Sequence, residues 1–477
     1  MDRSSVGWGA RSSVQAGTAV PAWLFAWLIA ALLCAGMAAA QPAITVNQNF
    51  DGIAADGIAP PDTSGAAGMT QFVQWVNTEY AVYDKTGNLL KGPLPGNSLW
   101  KGFGGPCETM NSGSPMVEYD RAAGVWVLAQ LALSSPPVYC FAVSTSGDAT
   151  GTYHLYSFPF PAGLTAPNTP RLAVWPDAYY ASFNAVSGTR TVPLVVAYDR
   201  TGMLAGSEPR DPISFQPAAQ ADLLPADFDG SVAPASGEPE FYAQVSGSNG
   251  IDLFQFHVDF SNPAQSTFKK VAKVKTEGVV VCTRSPPQWR AGVVRQPKTK
   301  KKLDAIPGQL MYRLAWRTVG AAQHLVANQT VILDDNPPLA EVEWYDILVT
   351  PGTKPALAHQ GTVADPTASS GYWIGSIAQD QDGEIALGFS ASGDTLFPSL
   401  EAIGPLNGSA AAAPTQISLV KGGGSQTDTS LWGTHADLSL DPTNDCVFWF
   451  TGEYVKKTGK SFDWSTRIAS FQFSTCP

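Results

Sequence analysis

Seven short runs of aromatic and β-branched residues, each launched by a turn, constrain this chain more than any other feature. They begin at Gln71 (QFVQWVN), Gly124 (GVWVLAQLAL), Asp177 (DAYYASFN), Glu240 (EFYAQV), Gln309 (QLMYRLAW), Glu384 (EIALGFSA) and Asp445 (DCVFWFTGEY), with 53 to 75 positions between successive starts. Turn formers such as Trp175-Pro176-Asp177, Gln381-Asp382-Gly383 and Asp441-Pro442 stand before them. Such runs with such punctuation are strands. Long helical patterns are nearly absent. A further short strand precedes most runs, at Pro115, Arg171, Lys302, Ile374 and Ala436, and Ala81-VYDKTGN and Val195-VAYDR read as third strands. Four short antiparallel strands per unit describe a propeller blade. The expected fold class is therefore all-β, a single β-propeller of seven blades, with five or six as the alternative. No Pro/Gly/Ser linker divides residues 41–477, and the longest spacings place a loop insertion near 271–302.

Composition supports this. Only 14% of residues are charged, against roughly 25% in an average soluble domain. Blades buried on both faces need few charges. The net charge of −11 excludes a basic nucleic-acid-binding face, so no nucleic acid is expected as partner. The concentrated positive charge is Lys298–Lys302 (KTKKK), placed in an exposed loop.

Residues 1–40 read as a signal peptide. Arg3 and Arg11 precede an uncharged stretch from Ala22 that ends in Ala38-Ala39-Ala40. The mature chain then carries −12, has no stable membrane span, and is secreted or periplasmic. An oxidising compartment invites disulfides among Cys107, Cys140, Cys282, Cys446 and Cys476. Cys446 with Cys476 and Cys107 with Cys140 are the natural pairs, leaving Cys282 as a buried thiol. The pair Cys446–Cys476 is also expected to help close the ring.

The motifs Pro61-Asp62-Thr63-Ser64-Gly65, Gln74-Trp75-Val76-Asn77, Gly104-Gly105-Pro106-Cys107-Glu108, Trp175-Pro176-Asp177-Ala178-Tyr179-Tyr180, Leu310-Met311-Tyr312-Arg313, Ile385-Ala386-Leu387-Gly388 and Phe448-Trp449-Phe450-Thr451-Gly452-Glu453-Tyr454 span the mature chain. As a set they resemble a family of secreted bacterial proteins of largely unassigned function. The resemblance implies a sialidase-like β-propeller and brings no established reaction.

Propeller sites lie at one mouth of the channel, on loops from several blades. Candidate catalytic residues are Glu108, Asp177, Asp437, Glu453 and Tyr454, because a carboxylate pair can divide acid and base roles, and a Tyr beside a Glu suits sialidase chemistry. Candidate substrate-binding residues are Asp62, Arg313, Arg467, Trp100 and Trp432. Arg would hold an acidic sugar, and loop Trp residues (Trp289 among them) would stack on sugar rings. Asp227 and Asp229, in a D-x-D-G turn, are candidate calcium ligands. No His pair has zinc-site spacing. The expected function is a glycan-active propeller, a glycoside hydrolase with paired carboxylates at the channel mouth. The alternative is a non-catalytic carbohydrate- or protein-binding propeller on a surface. The partner is a polysaccharide or glycoconjugate, and the protein a monomer.

Overall fold

The computed structural model describes residues 43–476 apart from 248, 277–291, 334–337, 408–412 and 460–461. The signal segment, Cys282 and Trp289 lie outside the described residues. What is described is almost entirely β. The first strand, β1 (Ile44–Ala54), belongs with the last ones. Then come quartets of strands in simple sequence order. The first holds β2 (Ser64–Ala67), β3 (Gln71–Val76), β4 (Glu79–Asp84) and β5 (Leu89–Pro95). The next holds β6 (Met116–Asp120), β7 (Val125–Ala132), β8 (Val138–Ser144) and β9 (Tyr153–Pro159). It is followed by β10 (Leu164–Val174), β11 (Tyr179–Ser187), β12 (Arg190–Tyr198) and β13 (Ile213–Phe215).

An eight-stranded sheet joins two quartets. One is β14 (Leu224–Phe228), β15 (Glu240–Val245), β16 (Gly250–His257) and β17 (Thr267–Lys275); the other is β18 (Leu310–Val319), β19 (Ala322–Leu333), β20 (Leu339–Leu348) and β21 (Ala356–Val363). Their first strands pair in parallel, Ala226 opposite Leu314 through Phe228 opposite Trp316. After them come β22 (Ser370–Gln379), β23 (Ile385–Gly393), β24 (Ser399–Gly404) and β25 (Thr415–Val420). The last sheet runs β26 (Asp437–Leu440), β27 (Val447–Tyr454), β28 (Ser465–Phe473) and then β1.

The first strands touch one another in a closed cycle, β2 to β6 to β10 to β14 to β18 to β22 to β26 and back to β2. The arrangement is propeller-like. Its layering follows from the sequence. Second strands such as β3, β7, β23 and β27 are buried at every position, because sheets pack on both of their faces. They are near-continuously apolar for that reason. The outermost strand β17 (TFKKVAKVK) is mostly exposed and carries lysines, which keep an edge from pairing with another chain.

Six of the seven sequence runs are second strands of their quartets. The run at Gln309 is instead a first strand, β18, and its second strand is β19. The segment at Lys302 forms only an isolated bridge, Leu303 with Val294. It lacks the length of apolar alternation needed to line the cycle, so the strong run after it takes the inner place.

Both expected disulfides are present, Cys107–Cys140 and Cys446–Cys476. The second joins residues beside β27 and β28 within one sheet, so it does not latch the ring. That task falls to β1, which pairs antiparallel with β28 from Ile44 opposite Phe473 to Ala54 opposite Ser465. Tyr454 donates to Asp51 at 2.9 Å, and Arg467 and Lys456 hold the same carboxylate at 2.7 and 3.0 Å. Gln74 of β3 completes the closure: its Oε1 accepts from the Ile53 N–H at 2.7 Å and its amide donates to Thr451 at 2.7 Å. Gly52 is required here, since a Cβ would lie 2.4 Å from that oxygen. Among the described residues, no helix is long and apolar enough to cross a membrane.

Gln74→Leu keeps the volume but strands the Ile53 and Thr451 groups. It is expected to cost about 1–3 kcal/mol for each stranded group, read as a lower denaturant midpoint. An unchanged midpoint would show that closure does not depend on this side chain.

Candidate functional site

The first strands all run the same way along the channel. Residues just before β2, β6 and β26, with Asn168–Arg171 from within β10, line one cavity, and residues within or just after β2, β6, β14, β18 and β26 line another. Three levels of charge result.

The level at the strand starts is open. Asp62, Ser114, Asn168, Thr169, Pro170, Arg171, Thr434 and His435 surround a cavity of about 150 Å³. Three of these residues hold left-handed backbone conformations, with φ of 45° at Asp62, 52° at Ser114 and 52° at Thr169. Such geometry costs on the order of 1–3 kcal/mol per residue and concentrates at ligand sites. Arg171 is buried to 3% exposure at the head of the inner stretch of β10. Its guanidinium donates to the Pro170 carbonyl at 3.3 Å and meets His435 Nδ1 at 3.5 Å. Among the described ion pairs it has no carboxylate partner, although Asp222 and Asp62 are near enough to feel its charge. Asp62 accepts from the Thr434 N–H at 2.6 Å. Burial raises its pKa, against the opposing pull of Thr434 and Arg171. Behind it, Glu453 accepts from the Gly433 N–H at 3.0 Å. Burial, and then the charge of Asp62, push the Glu453 carboxyl well above its usual range, while its Oε1 finds no partner. His435 is held neutral by burial and by the Arg171 charge.

The middle level is a buried ion cluster. Arg313 of β18 forks onto Asp229 at 2.9 and 3.1 Å, onto Asp227, and onto the Leu438 carbonyl at 3.2 Å. Asp437 accepts from the Gly65 N–H at 3.1 Å and faces the same cation. Glu118 makes a fourth carboxyl around one guanidinium. Burial, followed by the charge of Asp227, puts it well above the ordinary range. Burial likewise raises Asp437 to about 7. Glu118, Asp227, Asp229 and Arg313 border a cavity of about 20 Å³, enough for a single water.

At the far level, ion pairs bridge the sheets. Asp445 takes Arg121 at 2.6 Å and Arg317 at 3.2 Å from opposite sides. Lys85 pairs with Asp441 and Arg200 with Asp120, both at 2.6 Å.

The sequence candidates scatter across these levels. Asp62 and Glu453 meet at the open end, and Arg313, Asp227, Asp229 and Asp437 meet in mid-channel. Tyr454 points away to Asp51, and burial raises its phenol to about 12. Asp437 and Arg313 sit in mid-channel. Asp227 and Asp229 are taken up by the Arg313 guanidinium, in the place where calcium was expected. Asp177 lies in the β10–β11 turn toward the far end, bound by the Tyr180 hydroxyl at 3.1 Å, with its pKa raised by burial to about 6. Glu108 is on the short helix Gly105–Thr109, where it accepts from the Gly102 and Gly104 N–H groups. Arg467 belongs to the β1 clasp. Trp100 and Trp432 are fully buried, their indole N–H groups on Phe141 O and Ser390 Oγ at 3.2 Å each. Neither ring faces a ligand. Sequence reasoning missed Arg171, His435, Ser114, Asn168 and Thr169. A signal for Arg171 existed: it is a lone cation opening an otherwise apolar inner strand.

No family model matches the chain, and no curated protein matches it. It is similar in structure to a protein of unknown function from Dyadobacter fermentans, at 9% identity over 90% of this chain and 99% of that one, with a TM-score of 0.40. It is also similar to a Trypanosoma rangeli sialidase mutant displaying trans-sialidase activity, at 11% identity over 87% and 60% of the chains and a TM-score of 0.35. The α-L-arabinofuranosidase PaAbf62A of Podospora anserina aligns at 11% identity over 65% and 92%, with a TM-score of 0.30. Likeness at this level assigns no role to any residue here.

The mid-channel carboxyls make stability depend on pH. A folded-state pKa of about 7 for Asp437, against roughly 3.9 unfolded, means that the native state holds the extra proton between those values. Stability is therefore fully present below pH ~4 for this group and is lost as pH rises through 7, at up to about 1.4 kcal/mol per pH unit. Denaturation across this window is expected to show that fall. Asp437→Asn, which keeps the acceptor for Gly65, flattens it. Equal slopes in both proteins would remove Asp437 from the account.

Proposed function

We propose that this chain is an exported bacterial seven-bladed propeller that binds a carboxylate-bearing sugar in the cavity at the open end of its channel. Seven quartets around a cycle of seven first strands support the blade count. Two disulfides suit an oxidising compartment.

The observation that carries the function is Arg171. A guanidinium this deeply buried requires compensation, and a planar carboxylate supplies it in two charge-assisted hydrogen bonds. A cavity of about 150 Å³ is the room of about five waters, on the scale of one sugar ring. Asn168, Ser114, Thr169 and Thr434 offer polar groups for hydroxyls. The strained backbone at three of these positions fits a site shaped for a ligand rather than for stability.

Hydrolysis is the second reading, and one observation favours it. Asp62 and Glu453 are neighbours in unlike surroundings, with Glu453 held protonated and Asp62 beside a cation, as an acid and a base would be. Against it, Glu453 is 4% exposed and its free oxygen is walled in, so binding without turnover is the preferred function.

Calorimetry with galacturonate, glucuronate and a sialic acid tests this. At least one is expected to bind. Arg171→Met should weaken it by roughly 10- to 150-fold, the worth of a charged hydrogen-bonded contact. Glu453→Gln should leave binding in place. The reading is abandoned if none of the three binds the wild-type protein at millimolar concentration. Sugar release from a glycoside of the bound acid, abolished by Glu453→Gln, would favour the hydrolase.

A further inference from the structure

Three loops at the open end of the channel are hydrogen-bonded together and carry six lysines in no described ion pair, although Glu401 feels the charge of Lys421. One is residues 292–309, which lead into β18. The second is 421–436, which lead into β26 and end in Thr434 and His435 of the Arg171 cavity. The third is the described part of 455–464, between β27 and β28. The Gln426 N–H donates to Gln296 Oε1 at 2.8 Å, and Gln296 Nε2 returns to the Gln426 carbonyl at 2.9 Å. Ser425 donates its hydroxyl to Pro297 at 2.6 Å, and its N–H to Thr458 at 2.9 Å. The Asp304 N–H reaches the Ser430 carbonyl at 2.8 Å.

Lys298, Lys300, Lys301 and Lys302 stand on the first of these joined loops, Lys421 on the second and Lys457 on the third. None of the six is in a described ion pair; in these loops only Lys456 and Arg295 are, with Asp51 at 3.0 Å and with Asp394. Residues 295–302 hold five basic residues and no acidic one, in a chain of net charge −11. A scattering of lysines keeps a surface soluble. Lysines gathered on three joined loops, one of which ends at the cavity that holds a buried arginine, set up a local positive field in an acidic protein.

We propose that this lysine face is an extended docking track for an acidic polysaccharide, one ring of which enters the Arg171 cavity while the flanking rings lie along the lysines. The inference rests on the carbohydrate reading of that cavity and names the polymer that fits it. A single flexible polyanion can place one ring in a small cavity and still follow the loops. A nucleic-acid duplex or a bilayer surface is too broad to place a ring in a cavity of about 150 Å³ while following the loops.

The test uses the whole mature protein and four probes: galacturonate, oligogalacturonates of increasing length, duplex DNA, and phosphatidylserine vesicles. Affinity is expected to rise with oligomer length and to fall with added salt. The quadruple variant K298S/K300S/K301S/K302S should lose about tenfold on the long oligomers and most of the salt dependence, with galacturonate binding and thermal midpoint unchanged. Unaltered long-oligomer binding in that variant, or tighter binding of DNA or vesicles than of polygalacturonate by the wild type, overturns the proposal. The two readings fail separately. Monomer binding that needs Arg171 but polymer binding indifferent to the lysines sinks the track and keeps the cavity. Lysine-dependent polymer binding without monomer binding does the reverse.

Discussion

The pairing of β1 with β28 is the interaction on which the rest depends. It joins residues near the two ends of the described chain, Ile44 to Phe473, and without it the last sheet keeps an open edge at β28. Unpaired edges invite association with other chains, so a ring of sheets must close on itself. Closure is made specific by groups that fit nowhere else. Gln74 reads the β1 backbone from the first quartet, Gly52 leaves room for it, and Asp51 gathers Tyr454, Lys456 and Arg467 from the last sheet. The Cys446–Cys476 bridge secures the sheet that receives β1. Contacts so distant in sequence form late and pay their loop entropy before any return.

Closure also creates the channel, and the channel sorts charge by depth. Arg317 with Arg121 at the far end and Arg313 in the middle are matched or outnumbered by carboxylates. Arg171 at the open end is in no described ion pair, with Asp222 and Asp62 near enough to feel its charge. The excess of carboxyls around Arg313 is relieved by protons, because burial makes several negative charges around one cation untenable. At the far end Asp445 bridges two guanidinium groups from different sheets.

Much of the fold was legible because blades repeat a local pattern. A turn followed by an aromatic or β-branched run marks a strand wherever it occurs, and the runs at Gln71, Gly124, Glu240, Glu384 and Asp445 became second strands for that reason. The same pattern could not say which strand of a quartet a run would be. Leu310–Val319 is as apolar as the others yet lies innermost, because no strand of adequate length precedes it. Loop-like surroundings made Trp100 and Trp432 look exposed, but helical and irregular segments folded over them. The D-x-D-G pair at Asp227 and Asp229 resembled a cation site, and a cation does stand there; it is Arg313, from 84 and 86 residues away.

By itself, the sequence determined that the chain would be all-β, built from repeated short-strand units, and held by two disulfides whose partners sit close along the chain. These follow from periodicity, turn chemistry and cysteine spacing, all of which act locally. Only the tertiary structure decided which polar residues share a site. Asp62, Ser114, Asn168, Arg171, His435 and Glu453 come from separate strands and loops, and they meet only because the first strands run parallel around one axis with their starts at the same end. Side-chain neighbours across such a ring are set by sheet-to-sheet packing, and spacing along the chain carries no record of it.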